Sequence, residues 1–156
     1  MATRLQRLYK DDFFAWTQDQ AAALRRLAEL RPNDELDFEH LIEEVEDLGG
    51  SQRRAVRRQV RRILEHLLKL EHSPAVDPRA GWCESIIDAR IELEDALTPT
   101  LRHDLVASLP ELYEQARRAA QDRLRLYGEE AAADAPPLSC PHSFDQVLER
   151  GWFPTP

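Results

Sequence analysis

Glycine is scarce in this chain, five residues in 156, and cysteine scarcer still, with Cys83 and Cys140 alone. No stretch approaches the roughly 18 consecutive apolar residues that a membrane-spanning helix needs. Each shortage closes a class of answers. Few glycines among abundant Ala, Leu, Arg and Glu make a helix-forming composition. The two cysteines lie far apart, with no CxxC and no Cys/His ligand spacing, so neither a disulfide framework nor a zinc site is implied and free thiols in a reducing cytosol are expected. The N-terminal MATRLQRLYKDDFFAW lacks the apolar core of a secretory signal, so the expected location is the cytoplasm and no membrane partner is expected. A net charge of −8 leaves too few cations for general phosphate binding, and a nucleic-acid partner is not expected.

What is present points one way. A length of 156 residues, 42% hydrophobic and 32% charged, suits one globular domain spanning residues 1–156. The segments between breakers are long and follow helical spacing, so the fold class is all-α: a single-domain helical bundle. Helices are expected near residues 11–30, 37–48, 51–72, 82–97 and 110–128. A polar linker, 128–138, then leads to a C-terminal tail that docks back.

The most distinctive stretch is LDFEHLIEEVEDLGGSQRRAVRRQVRRILEHLLKL, residues 36–70. Phe38, Leu41, Ile42, Val45 and Leu48 step by three and four into one apolar stripe behind an Asp37 cap. Gly49 is expected to stop that acidic helix in a left-handed cap, with Ser51 capping the next. The next helix buries Val56, Val60, Ile63, Leu64, Leu67, Leu68 and Leu70. Between these stand Arg53, Arg54, Arg57, Arg58, Arg61 and Arg62. Two antiparallel helices of opposite charge, lying side by side, are the expectation.

Before that stretch, Asp11 or Asp12 is expected to cap a helix ending near Leu30, broken by Pro32, Asn33 and Asp34. After it, the helix from Trp82 carries Ile86, Ala89, Leu93 and Leu97 on one side and Ile87 and Ile91 on another. Arg90 lies between the two sides and is predicted to be at least partly buried. Thr98-Pro99 opens a short helix to about Ser108, and Pro110 kinks it or starts the next. In the tail, Ser143 caps a turn or two, and Phe144, Val147, Leu148, Trp152 and Phe153 are apolar enough to dock.

These segments, from LYKDDFFAW through LIEEVEDLG, HLLKLEHSP, GWCESIIDARIEL and LPELYEQARRAA to CPHSFDQVLERGWFP, resemble the bacterial family called domain of unknown function 29. Its strongest marks are Glu43-Glu44-x-Glu46, His66-Leu67-Leu68-Lys69, the Trp82 to Arg90 spacing and Trp152-Phe153-Pro154. The family's usual PSL reads Pro99-Thr100-Leu101 here. The resemblance implies an all-helical domain from a bacterium, and no activity or catalytic residue.

The residues support several functional readings. Glu39, Glu43, Glu44, Glu46 and Asp47 with His40, His66 and His72 bring a metal-binding bundle to mind, but the Glu-x-x-His order such bundles use is absent, and neither metal nor cofactor is expected. His66 at the edge of an apolar stripe is read first as a half-buried histidine bonded to a carboxylate, and second as an acid, base or ligand. Cys83 is read as an inert core thiol. Arg90 is expected to form a buried ion pair with Glu46 or Glu44, helped by Glu94, making Glu44, Glu46, His66, Arg90 and Glu94 a buried polar cluster. Glu39, Glu43, Asp47, Arg53, Arg54, Arg57, Arg58 and Arg61 are the candidate interaction faces.

The leading expectation is a non-catalytic interaction or regulatory module whose partner is another protein or a second copy of the chain. The rival is a ligand- or metal-binding bundle, enzymatic in one version, with a pocket near His66, Trp82, Arg90 and Glu43–Glu46. A small-molecule ligand therefore stays open. A third reading, nucleic-acid binding through the arginine-rich helix, requires that face to be exposed and unneutralised.

Overall fold

The computed structural model describes residues 1–30 and 35–155, so the break expected at Pro32, Asn33 and Asp34 lies outside the described residues. The fold is all-α. Its helices are α1 (Arg4–Asp11), α2 (Phe13–Leu30), α3 (Phe38–His72), α4 (Arg79–Ala96), α5 (Pro99–Leu126), α6 (Glu130–Asp134) and α7 (Phe144–Leu148). Packing divides the chain into two units. One comprises Met1–Ala55 with Thr98–His103, the other Val56–Leu97 with Asp104–Pro156.

In the first unit Thr3 caps α1 in a reciprocal box with Gln6, so helix begins ahead of the first helix expected from residue 11. Tyr9, Phe13 and Trp16 form an aromatic cluster with ring centroids 4.9–5.6 Å apart. Asp12 separates α1 from α2 and caps two helices at once. Its carboxylate accepts from the Ala15 amide at 3.0 Å and from the Thr100 amide, in the first turn of α5, at 2.8 Å. Burial pushes the Asp12 carboxyl up, but these hydrogen bonds prevail and hold it below its ordinary range.

The expected hairpin at Gly49 does not form. Helix α3 runs unbroken from Phe38 to His72, so the acidic and basic stretches follow one another along a single helix. Gly49 is helical and buried because α2 comes close: a Cβ there would lie 2.2 Å from Thr17 Oγ1. The glycine serves close approach, not reversal of the chain. Left-handed glycines occur instead at Gly128 and Gly151, both in turns.

In the second unit the expected stripe is the core. Val56, Val60, Ile63, Leu64, Leu67 and Leu68 of α3 are fully buried, as are Ile86, Ala89 and Leu93 of α4 and Leu105, Leu112, Ala116 and Leu124 of α5. Pro110 does not start a new helix; it sits inside α5, which runs from Pro99 to Leu126. The stretch expected as a linker contains α6, whose Ala132 and Ala133 are buried against Leu124. Beyond it the tail docks back, with Phe144 and Val147 of α7 buried and Ser143 capping that helix.

Candidate functional site

The second unit carries an open groove of about 630 Å³. The helical spacing that buries one side of α3 leaves Arg58, Arg61, Arg62 and His66 along its opposite edge, facing this hollow. Helix α5 forms the other wall with Gln115, Ala116, Ala119 and Arg123; its two alanines leave the space that larger side chains would fill. Ser85 of α4 and Tyr127, just past α5, complete the lining.

The floor is charged. Glu65 and Lys69, one turn apart, are only 8% and 3% exposed. Lys69 Nζ lies 3.0 Å from Glu65 Oε1, and Arg123 donates to the same carboxylate oxygen from across the groove. Burial pushes the Glu65 carboxyl up, yet the hydrogen bonds and charges of Arg123 and Lys69 outweigh it and hold the group below its ordinary range. The Lys69 ammonium also sits 5.8 Å from the Trp82 ring centre and 5.9 Å from that of Tyr127, so its remaining hemisphere meets aromatic faces.

Among the described residues, His66 does not pair with a carboxylate. Its Nδ1 lies 2.7 Å from the Arg62 carbonyl oxygen, which only accepts, so Nδ1 carries the proton and Nε2 keeps a lone pair. Burial drives its pKa down; the bond to Arg62 opposes this, and the Lys69 and Arg62 charges reinforce it. The imidazole is neutral at pH 7. The lining thus sets five permanent cations, Arg58, Arg61, Arg62, Lys69 and Arg123, against one carboxylate, Glu65. In a chain of net charge −8 this is a strong local reversal.

The other candidate residues lie elsewhere. Arg57 is drawn inward by α5: it donates to Ser108 at 2.9 Å and Glu111 at 3.1 Å, with Asp104 3.6 Å away. Arg61 donates to Gln115 at 3.0 Å. Arg53 and Arg54 are exposed. On the first third of α3, Glu39, Glu43, Glu44 and Asp47 are exposed, and Glu46 is half-exposed and held by Arg25. His40 bonds Asp37 at 2.5 Å.

The expected polar cluster does not assemble. Arg90 is buried as predicted, but among the described residues no carboxylate satisfies it. Its Nε, Nη1 and Nη2 donate to the carbonyls of Val147, Trp152 and Gln146 at 2.9, 2.8 and 3.1 Å, and the Phe153 ring lies over the guanidinium. Glu94 is exposed and pairs with Arg150 at 3.2 Å, while Glu44 stays in water. Arg90 therefore clamps the tail, and with Ile87, Ile91 and Phe153 it lines a smaller hollow of about 240 Å³, separate from the one His66 lines. Beside the tail, His142 Nε2 lies 2.9 Å from Glu71, and His72 is 3.6 Å from the same carboxylate. Cys83 and Cys140 are half-buried free thiols.

Sequence reasoning missed Glu65, Lys69, Arg123 and Tyr127. A signal for the first two was present: a lysine inside HLLKL, four residues after a glutamate, needs a partner if the leucines are buried. Arg123 lies some sixty positions away and gives no such sign. Among the described residues, no group of three or more His, Cys, Asp or Glu side chains is placed to hold a metal ion, and no helix is long and apolar enough to cross a membrane.

Comparison with known proteins agrees on fold and is silent on activity. No curated protein matches the chain. Among solved structures it is similar to the crystal structure of an alpha-helical protein of unknown function from Rhodospirillum rubrum ATCC 11170. The two share 28% identity and a TM-score of 0.78, over 92% of this chain and 90% of that one. The family model described as "Domain of unknown function DUF29" matches residues 8–153, and the chain belongs to that family.

Proposed function

We propose that this protein is a non-catalytic interaction module that receives an acidic segment of a protein partner in the groove between α3 and α5. One observation carries the reading: five cations face one carboxylate in a groove on an otherwise acidic chain. Such local complementarity steers a charged partner and fixes its register. The buried Glu65 with Lys69 and Arg123 holds the floor rigid, while Arg58 and Arg61 at the rim remain exposed to meet a ligand. The cations are confined to one short groove on a chain of net charge −8, which argues for a short acidic protein segment over a polynucleotide that must run beyond it. Free cysteines and the likeness to a Rhodospirillum rubrum protein support a bacterial cytoplasmic setting.

The test is fluorescence anisotropy with a labelled glutamate-rich peptide. Binding is expected at low salt, weakening as salt screens it, with at least a tenfold loss (about 1.4 kcal/mol) in the Arg58→Gln/Arg61→Gln variant at unchanged melting temperature. A peptide that binds parent and variant alike, or neither, defeats the reading.

A further inference from the structure

The partner of the groove can be narrowed by asking which acidic helix the chain itself offers. On α3, Glu39, Glu43 and Asp47 recur every four residues and are exposed. Their row spans eight residues, about 12 Å at 1.5 Å rise per residue. The cationic row of the groove, from Arg58 to Lys69, spans eleven residues, about 16 Å by the same rise. The two rows are therefore of similar length. A straight acidic helix laid along the groove meets Arg58, Arg61 and Arg62 on the α3 side and Arg123 on the α5 side, with Glu65 and its partner Lys69 held in the floor between them. A compact anion would engage only part of the row.

Leu41 and Leu48, though exposed, belong to the apolar stripe on the other side of the helix, so what the row of Glu39, Glu43 and Asp47 offers the groove is charge.

We propose that the cationic groove of one copy receives the acidic face of α3, Glu39 to Asp47, from a second copy of this chain. This rests on the groove being a site for acidic protein segments. The two surfaces differ, so the contact is heterologous: it leaves an unused groove at one end and an unused acidic face at the other, and association continues to larger species or closes as a ring.

The test is sedimentation velocity of the full chain in about 0.05 M and about 0.5 M salt, between which the screening length shrinks several-fold. The parent is expected to show concentration-dependent association at low salt that is lost at high salt. Two neutralised variants, Glu39→Gln/Glu43→Gln/Asp47→Asn and Arg58→Gln/Arg61→Gln/Arg62→Gln, are each expected to stay monomeric. Mixed in equal amounts they retain one working acidic face and one working groove, so a 1:1 complex is expected and nothing larger. Circular dichroism melts of both variants confirm folding. A parent that remains monomeric, variants that still self-associate, or a mixture that does not pair overturns the proposal.

A labelled peptide of residues 36–51 separates this failure from that of the underlying reading. If the glutamate-rich peptide binds the groove but the full chain stays monomeric, the second copy is wrong and the acidic-partner site stands. If neither peptide binds, both fall. A single-stranded oligonucleotide that displaces the 36–51 peptide at lower concentration than unlabelled peptide does overturns the proposal in favour of nucleic acid.

Discussion

The two halves of α3 begin with similar charge density and end in opposite environments. From Phe38 to Ala55 the helix keeps its carboxylates in water and approaches α2 through a glycine. From Val56 to His72 it is packed by fully buried aliphatics, and it takes one carboxylate and one ammonium inside with it. Exposed charge of the first kind adds little to stability and is free to meet a partner. Internal charge of the second kind must be paired, and once paired it becomes part of the framework. A charged residue's role therefore depends less on its type than on whether the face it stands on is covered.

The strongest way to break this contrast is Glu65→Leu. Removing the carboxylate strands Lys69, only 3% exposed, as an unpaired cation, and frees Arg123. Stranding one member of a buried pair costs about 3–5 kcal/mol. Urea unfolding should register that loss, whereas Glu43→Leu in the first half should stay within about 0.5 kcal/mol. Equal effects from the two would mean that Glu65 is no more internal than Glu43.

The neighbouring glycines sharpen the picture of the first half. Gly49→Ala places a methyl 2.2 Å from Thr17 Oγ1 and 3.2 Å from Thr17 Cβ, in a buried contact between α2 and α3. Overpacking of that kind costs about 1–3 kcal/mol. At Gly50 the nearest atom is the end of the Arg54 side chain, at 3.2 Å, which can swing away. There alanine should stabilise by about 0.4–1 kcal/mol, because a helical glycine wastes chain entropy. Thermal melts of the two variants should move in opposite directions. A Gly49→Ala protein as stable as the parent would show that α2 and α3 can part at no cost.

Those glycines also mark where the sequence was legible and where it was not. Helical periodicity located the core face of α3 residue by residue, since Val56, Val60, Ile63, Leu64, Leu67 and Leu68 are all buried. A Gly-Gly pair after an amphipathic run reads as a stop because local rules attach glycine to left-handed turns. Here a neighbouring helix demanded it, and a tertiary demand leaves no local mark. Arg90 failed in the same way. Its burial followed from the wheel of α4, but its partners are backbone carbonyls of the tail, which every residue possesses and no sequence pattern displays. The groove was half legible. Its α3 edge was visible as an arginine row, while Arg123 and the two alanines of α5 that open it depended on which helix lay alongside.

The smallest effect expected is also a direct reading of the contrast, because the histidine of the first half of α3, His40, and those of the second, His66 and His72, are displaced in opposite directions. In the second half, burial holds the His66 imidazole below its ordinary value of 6.5. The unfolded chain then binds the proton more readily than the native one, so this contribution is complete above 6.5 and is lost as pH falls toward the native pKa. His72, also lowered by burial, acts in the same sense, so replacing His66 removes only part of the acid-side slope. In the first half, the hydrogen bond to Asp37 and that residue's charge raise the exposed His40 above 6.5. The native state now holds the proton more tightly; the contribution is full below 6.5 and is lost as pH rises through the native pKa. The two slopes oppose one another on either side of 6.5. A histidine NMR titration should find His66 titrating below 6.5 and His40 above it. His66→Gln should flatten the acid side of the stability profile, and His40→Gln should leave that side unchanged. A His66 that titrates at or above 6.5 would mean that water reaches the ring freely, and that the second half of α3 is no more sealed than the first.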